Sequence, residues 1–149
     1  MDLFKIFSVS GSGMAAQRSR MTVVAGNLAN AETTRTPDGG PYRRRNITFQ
    51  AVPLDNEFSA QLNELSDTPN AVQGVEVAAV KQSSRPPRQI FDPHHPDANP
   101  EGYVSLPDIN PMEEMVDMLS AVRSYEANLA TYNTTKSLIR KLLNIGGGS

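Results

Sequence analysis

The sequence predicts a mainly α protein: long N- and C-terminal helices forming a coiled-coil-like layer, with a small, irregular, β-containing, Pro-rich central lobe. Three observations predict it. All 11 prolines lie between Pro37 and Pro111, so neither end of the 149-residue chain contains one. A proline inside a helix loses an N–H bond and clashes with the preceding turn, at about 3 kcal/mol, so only the ends can form long helices. Both ends carry apolar residues at helical spacing, and the second opens with a start signal.

At the first end Phe7, Met14, Met21 and Leu28 recur every seven residues. Leu3, Val24 and Ala31, with polar Ser10 and Gln17, occupy the intervening seam positions. That period belongs to a helix packed on other helices. Gly11-Ser12-Gly13 interrupts the stripe, so the first dozen residues are expected to hinge or fray when unpartnered, while 14–33 stay helical.

At the second end Asn110 supplies a cap, Pro111 suits the first helical position, and Glu113 completes an Asn-x-x-Glu capping box. Met115, Leu119, Val122, Tyr125, Leu129, Tyr132, Ile139 and Leu143 follow at steps of three, four or seven. Lys136 falls on this stripe, where its stem packs and its charge reaches water. Arg140 and Lys141 suit the negative end of the helix dipole, and Gly146 stops the helix. A helix from Pro111 to Ile145 is roughly 50 Å long, more than a compact domain of this size needs.

Between the ends, Asn46 to Val52 and Gly74 to Val80 alternate as strands do. Phe58 to Leu65 reads as either a loop or a short helix. Ser83 to Pro111 is proline-dense and is expected to run extended along a surface. The chain thus divides into a helix over 1–35, a central lobe over 36–110, a helix over 111–145 and a flexible tail over 146–149.

Composition narrows the function. Hydrophobic residues make up 38%, with five Phe, four Tyr and no Trp, which is thin for a self-contained globule. A net charge of −2 exerts no general pull toward nucleic acid or anionic membranes. The absence of Cys excludes disulfides, thiolate metal sites and Cys nucleophiles. No run of 18 apolar residues exists, so no direct membrane span is expected. The N-terminus MDLFKIFSVSGSGMAAQRSR lacks the basic segment and continuous apolar core of a cleavable secretory signal.

Candidate chemistry is sparse. Phe91-Asp92-Pro93-His94-His95-Pro96-Asp97 holds both His residues and two carboxylates, which invites a metal or acid–base reading. Adjacent side chains in an extended segment point apart, however, and no other cluster completes a ligand shell, so a structural turn is expected. Arg43-Arg44-Arg45 after Tyr42 reads as a solvated strand end or an intersubunit salt-bridge set rather than a nucleic-acid site. Neither glycine pair has the strand–loop–helix setting of a phosphate loop, and no Ser sits in a nucleophile elbow. No catalysis, cofactor or metal is expected.

The remaining signal is the pair of helices. A two-helix hairpin buries one face of each. Met14, Met21, Met112, Met115, Met118, Tyr125 and Tyr132 cover a wider arc than one partner hides. Packing among several chains is therefore expected, with both ends loosely ordered in the isolated protein.

The residues also carry a resemblance. Met14 to Thr34, MAAQRSRMTVVAGNLANAETT, resembles the amino-terminal motif of bacterial flagellar rod, hook and hook-associated axial proteins. Glu114 to Met118 and Ser124 to Asn128 are similar to their carboxy-terminal helix. Tyr42-Arg43-Arg44, the block from Phe91 to Ala98 and Gly102-Tyr103-Val104 narrow the match to the proximal rod proteins of the basal body. Pro107-Asp108-Ile109-Asn110 departs from the Pro-Asn-Val-Asn of that pattern, conservatively for a turn.

The resemblance implies a structural rod subunit that polymerises through its terminal helices into a tubular drive shaft, transmitting torque and leaving an export channel. The alternative is another axial or adaptor protein at the rod base. Implied partners are copies of itself, other rod proteins, the rod-base adaptor of the export/MS-ring complex and the flagellar type III export apparatus. The implied location is the rod crossing the periplasm, reached without a cleaved signal. The subunit interface is expected along the helix seams at Met14, Met21, Val24, Asn27, Leu28, Met115, Leu119, Val122, Tyr125, Asn128, Leu129 and Tyr132. Asp92, Pro93, His95, Pro96, Asp97, Gly102 and Tyr103 form the motif turn.

Overall fold

The structure, a computed structural model, describes residues 3–54 and 72–146. The expected loop or short helix over Phe58 to Leu65 lies outside the described residues, as does most of the glycine-rich tail. In chain order the elements are α1 (Leu3–Ala29), β1 (Arg45–Pro53), β2 (Gln73–Gln82), β3 (Arg88–Phe91), β4 (Tyr103–Leu106) and α2 (Pro111–Gly146). β1 pairs with β2, and β3 pairs antiparallel with β4 in the register Arg88↔Leu106 to Phe91↔Tyr103.

Two compact units emerge, each drawing on both helices. One comprises Met1–Ser19, Phe49–Ala78 and Ala121–Ser149; the other comprises Arg20–Thr48 and Ala79–Ser120.

The first unit is built on close approach. Ser10, Ala16, Gly74, Ala121 and Thr135 are buried, and all are small. The Phe7 and Tyr132 rings lie 4.0 Å apart, centroid to centroid. A Cβ added to Gly13 would sit 2.9 Å from Asn128 Nδ2, so the Asn128 amide fills the space a side chain would need. The Ser12 hydroxyl donates to Val9 O (2.8 Å) and accepts Val75 N–H (3.1 Å), which fastens β2 to α1. A Cβ on Gly74 would meet Leu54 at 2.7 Å and Ser12 Oγ at 3.0 Å. Partnered in this way, Gly11-Ser12-Gly13 is helical and α1 runs through it unbroken: these residues admit Asn128 and bind a strand.

The second unit is held by polar contacts and a hairpin. Its buried residues include Val24, Ala31, Val104 and Ile109, with Asn27 and Glu114 among them. α1 stops at Ala29, four residues short of the expected end. The Asn30 amide donates to Gly26 O (2.8 Å) and the Thr33 hydroxyl to Asn30 Oδ1 (3.2 Å), local bonds that compete with the helix. α2 starts as expected. Asn110 Oδ1 accepts Met112 N–H (3.1 Å), while the Asn110 amide donates to Glu113 Oε1 (3.3 Å).

The stretch from Ser83 to Pro111 is not simply extended. Gly102, at φ 84°, turns the chain, and Asp92 N–H bonds to Gly102 O (2.9 Å), closing the β3–β4 hairpin. Asn99 secures the return by accepting Tyr103 N–H at Oδ1 (2.8 Å).

The mainly α, coiled-coil-like expectation is corrected. Among the described residues, helices of 27 and 36 residues share the chain with strands of 9, 10, 4 and 4 in two small sheets. Beside the Phe7–Tyr132 ring pair, several of the helix contacts are polar or involve small residues. Gly13 meets Asn128, Arg20 meets Asp117, and Asn27 meets Glu114.

Candidate functional site

Asn27 lies at the centre of the second unit, 1% exposed, with all four hydrogen-bonding positions of its amide filled. Nδ2 donates to Arg45 O (2.8 Å) and Glu114 Oε2 (3.0 Å). Oδ1 accepts Arg45 N–H (2.8 Å) and the Tyr42 hydroxyl (3.2 Å). Glu114, fully buried, takes Arg44 Nε on its other oxygen. Arg44 also lies 3.6 Å from Asp117, which Arg20 holds at 2.9 Å. The three arginines at 43–45 are thus divided by strand alternation. Arg44 points inward to the carboxylates, while Arg43 and Arg45 are exposed, the latter 5.9 Å over the Tyr42 ring.

The first two turns of α2 reverse the usual amphipathic order. Glu114 and Asp117 face their own chain, whereas Met112, Met115, Val116 and Leu119 are 43–67% exposed. Those four lie at i, i+3, i+4 and i+7, one face of a helix. The apolar side chains of these two turns are thus the exposed ones, and two of the acids are turned to the chain itself.

The sequence-derived seam separates accordingly. Met115, Leu119 and Leu129 are exposed; Met14, Met21, Leu28, Val122, Tyr125, Asn128 and Tyr132 are half-buried; Val24 and Asn27 are buried in the chain itself. Glu114, Ala121, Asn128 and Thr135 share a seven-residue spacing, and three of the four are fully or almost fully buried. Hydrophobic periodicity passes over such positions because three are polar and one is small. The Glu114–Arg44 pair and the Arg20–Asp117 pair went unread for the same reason. The usable signal was a carboxylate on the same seven-residue track as Asn128.

The motif turn is held by its own side chains. Asp92 Oδ1 accepts His94 N–H (3.1 Å), His95 Nδ1 accepts Asp97 N–H (3.1 Å), and Asp97 Oδ2 accepts the Thr34 hydroxyl (2.7 Å). Phe91 and Tyr103 pack edge to face at 5.3 Å, and a Cβ on Gly102 would meet Phe91 at 2.9 Å and Pro93 at 3.3 Å. Pro96 is exposed. His95 Nδ1 is therefore an acceptor within the turn. Among the described residues, no group of three or more His, Cys, Asp or Glu is placed to hold a metal. No helix among them is long and apolar enough to cross a membrane.

Comparison with known proteins agrees with this architecture of two terminal helices about a distinctive middle. Residues 7–35 match the family described as "Flagella basal body rod protein". Residues 101–145 match "Flagellar basal body rod FlgEFG protein C-terminal". Along almost the whole chain, similarity runs to proteins called flagellar basal-body rod protein FlgC. The Borreliella burgdorferi protein is 43% identical over 150 residues, covering 97% of this chain and 98% of its own. The Bacillus subtilis protein is 42% identical over 151 residues, covering 98% and 99%. The Salmonella typhimurium protein is 39% identical over 146 residues, with the same coverage.

Proposed function

The chain belongs to the flagellar basal-body rod protein family, as a structural subunit of the proximal rod of the FlgC type, and from that premise we propose that its outward helix faces are its assembly surface. As a rod protein it assembles with other rod proteins in the basal body. In this reading 1–35 and 111–145 make the axial layer and 36–110 the lobe. Subunits add into a tube that carries torque and leaves a channel for later components.

The observation that carries the reading is the exposed stripe Met112, Met115, Val116 and Leu119 over inward Glu114 and Asp117. Each large apolar side chain fully covered by a neighbour contributes about 1.5–3 kcal/mol, so one such stripe is enough to hold a contact. Leu129 is a further exposed apolar position on α2. Copies of the chain, other rod proteins and the rod-base adaptor are its partners there. In this reading the type III export apparatus delivers the chain. The role is mechanical rather than catalytic.

The test is Leu119→Asp, with Leu129→Asp as a second variant. Both side chains are exposed, so the purified variants should unfold within about 0.5 kcal/mol of wild type. Export of the chain should persist while rods fail to form and swimming is lost. Normal rods and motility in both variants would sink the assignment.

A further inference from the structure

Two patches on α2 are complementary in polarity and charge. In the first two turns, Met112 and Val116 line a shallow groove of about 430 Å³ edged by Glu113 and Asp117, with Arg44 beside it. In the last three turns, Lys136 and Arg140 rim an apolar depression of about 290 Å³ floored by Phe7 and Ile139. Residues 127–149 hold Lys136, Arg140 and Lys141 and no Asp or Glu. Basic residues near a helix C-terminus suit its dipole, but the dipole does not call for an apolar floor between them.

Glu113 is exposed at the edge of the first patch, and Lys136 and Arg140 lie one turn apart on the rim of the second. The geometry points to a head-to-tail contact between two copies: the Met112–Leu119 stripe of one seats on the Phe7/Ile139 depression of the next, with Glu113 facing Lys136 and Arg140. This rests on the rod-subunit reading and names the surfaces by which one copy meets another. Because the two patches differ, the contact is heterologous and leaves a free patch at each end. The charges set register and direction, and the apolar floor holds the contact.

The absence of Cys makes the test clean. Two differently tagged copies, one V116C and one I139C, are co-expressed in cells lacking the untagged chain, and basal bodies are isolated and oxidised. R140C replaces I139C as a second acceptor variant, since Arg140 is exposed. A disulfide-linked product carrying both tags is expected in either pairing, and in neither single variant. Adding Lys136→Glu to the acceptor copy places like charges together and should lower the product about tenfold, with recovery when Glu113→Lys is added to the other copy. Both tags present in basal bodies with no mixed product would overturn this contact and leave the rod reading standing. Cross-linking to a different protein would overturn the second copy as the occupant. Absence of the wild-type chain from basal bodies would overturn the rod reading and the contact together.

Discussion

The side-chain amide of Asn27 pairs with the main chain of Arg45 in both directions, donating to its carbonyl and accepting its N–H, each at 2.8 Å. A side chain of α1 thus does what a neighbouring strand would do at the first residue of β1. The same amide reaches Glu114 in the first turn of α2, so a single residue joins three elements of one unit. Side-chain–to–main-chain bonds of this kind set where a strand begins and at what angle it leaves a helix.

Replacing Asn27 with Leu should therefore be costly despite similar size. The Arg45 N–H and C=O, the Tyr42 hydroxyl and Glu114 Oε2 would each lose a partner. Unsatisfied buried groups cost about 1–3 kcal/mol each, and partial access to water reduces the sum to about 3 kcal/mol. The urea midpoint of the purified chain measures this; a midpoint within error of wild type would contradict the network.

Arg44 and Glu114 should respond unequally to removal. Glu114 is fully buried, whereas the Arg44 side chain is 29% exposed and lies near Asp117 as well. Arg44→Ala strands a carboxylate away from water and should destabilise by about 3 kcal/mol. Glu114→Gln keeps an acceptor for Arg44 but sets its own NH2 against the Asn27 Nδ2 donor, about 1–3 kcal/mol for one unmet buried bond; because it leaves no uncompensated charge buried, its cost should be the smaller of the two. Equal losses in equilibrium unfolding would show that burial does not govern the pair.

Gly11 and Gly13 lie in the same stretch of α1 and should behave oppositely. A Cβ at Gly11 meets nothing within 4 Å, so Gly11→Ala should stabilise by up to about 1 kcal/mol through helix propensity. A Cβ at Gly13 meets Asn128 at 2.9 Å, and Gly13→Ala should lower the melting temperature. Adding Asn128→Ala removes the obstruction and should recover most of that loss. Independent effects of the two substitutions at 13 and 128 would argue against the contact.

Gly102→Ala should loosen the β3–β4 hairpin. It forces a side chain into φ 84° and toward Phe91 at 2.9 Å, at a cost of roughly 1–3 kcal/mol for the strained backbone. Faster amide exchange at Ile90 and Val104, which face each other in the register, would report it. Unchanged protection there would count against the turn as the hairpin's organiser.

Much of the local structure was legible in the residues. Proline positions and the Asn110–Glu113 cap located α2 to within a residue or two, and alternation located β1 and β2. The strands flanking the motif turn were missed because each is only four residues long and carries little alternation. At Gly11 and Gly13 local propensity opposes a helix, and the partners that reward one, Asn128 and β2, are not legible in the local sequence.

The sequence by itself determined which segments could be helical, which could be strands, and to which family the chain belongs. Only the tertiary structure decided which helix face turns inward. Periodicity registers the polarity of a side chain but not its partner, so it picked out Met115 and Leu119 as interface positions and passed over Glu114. A buried carboxylate is tolerable only where Arg44 and Asn27 converge on it from elsewhere in the chain. That convergence exists only after folding, and it leaves the apolar face of α2 exposed.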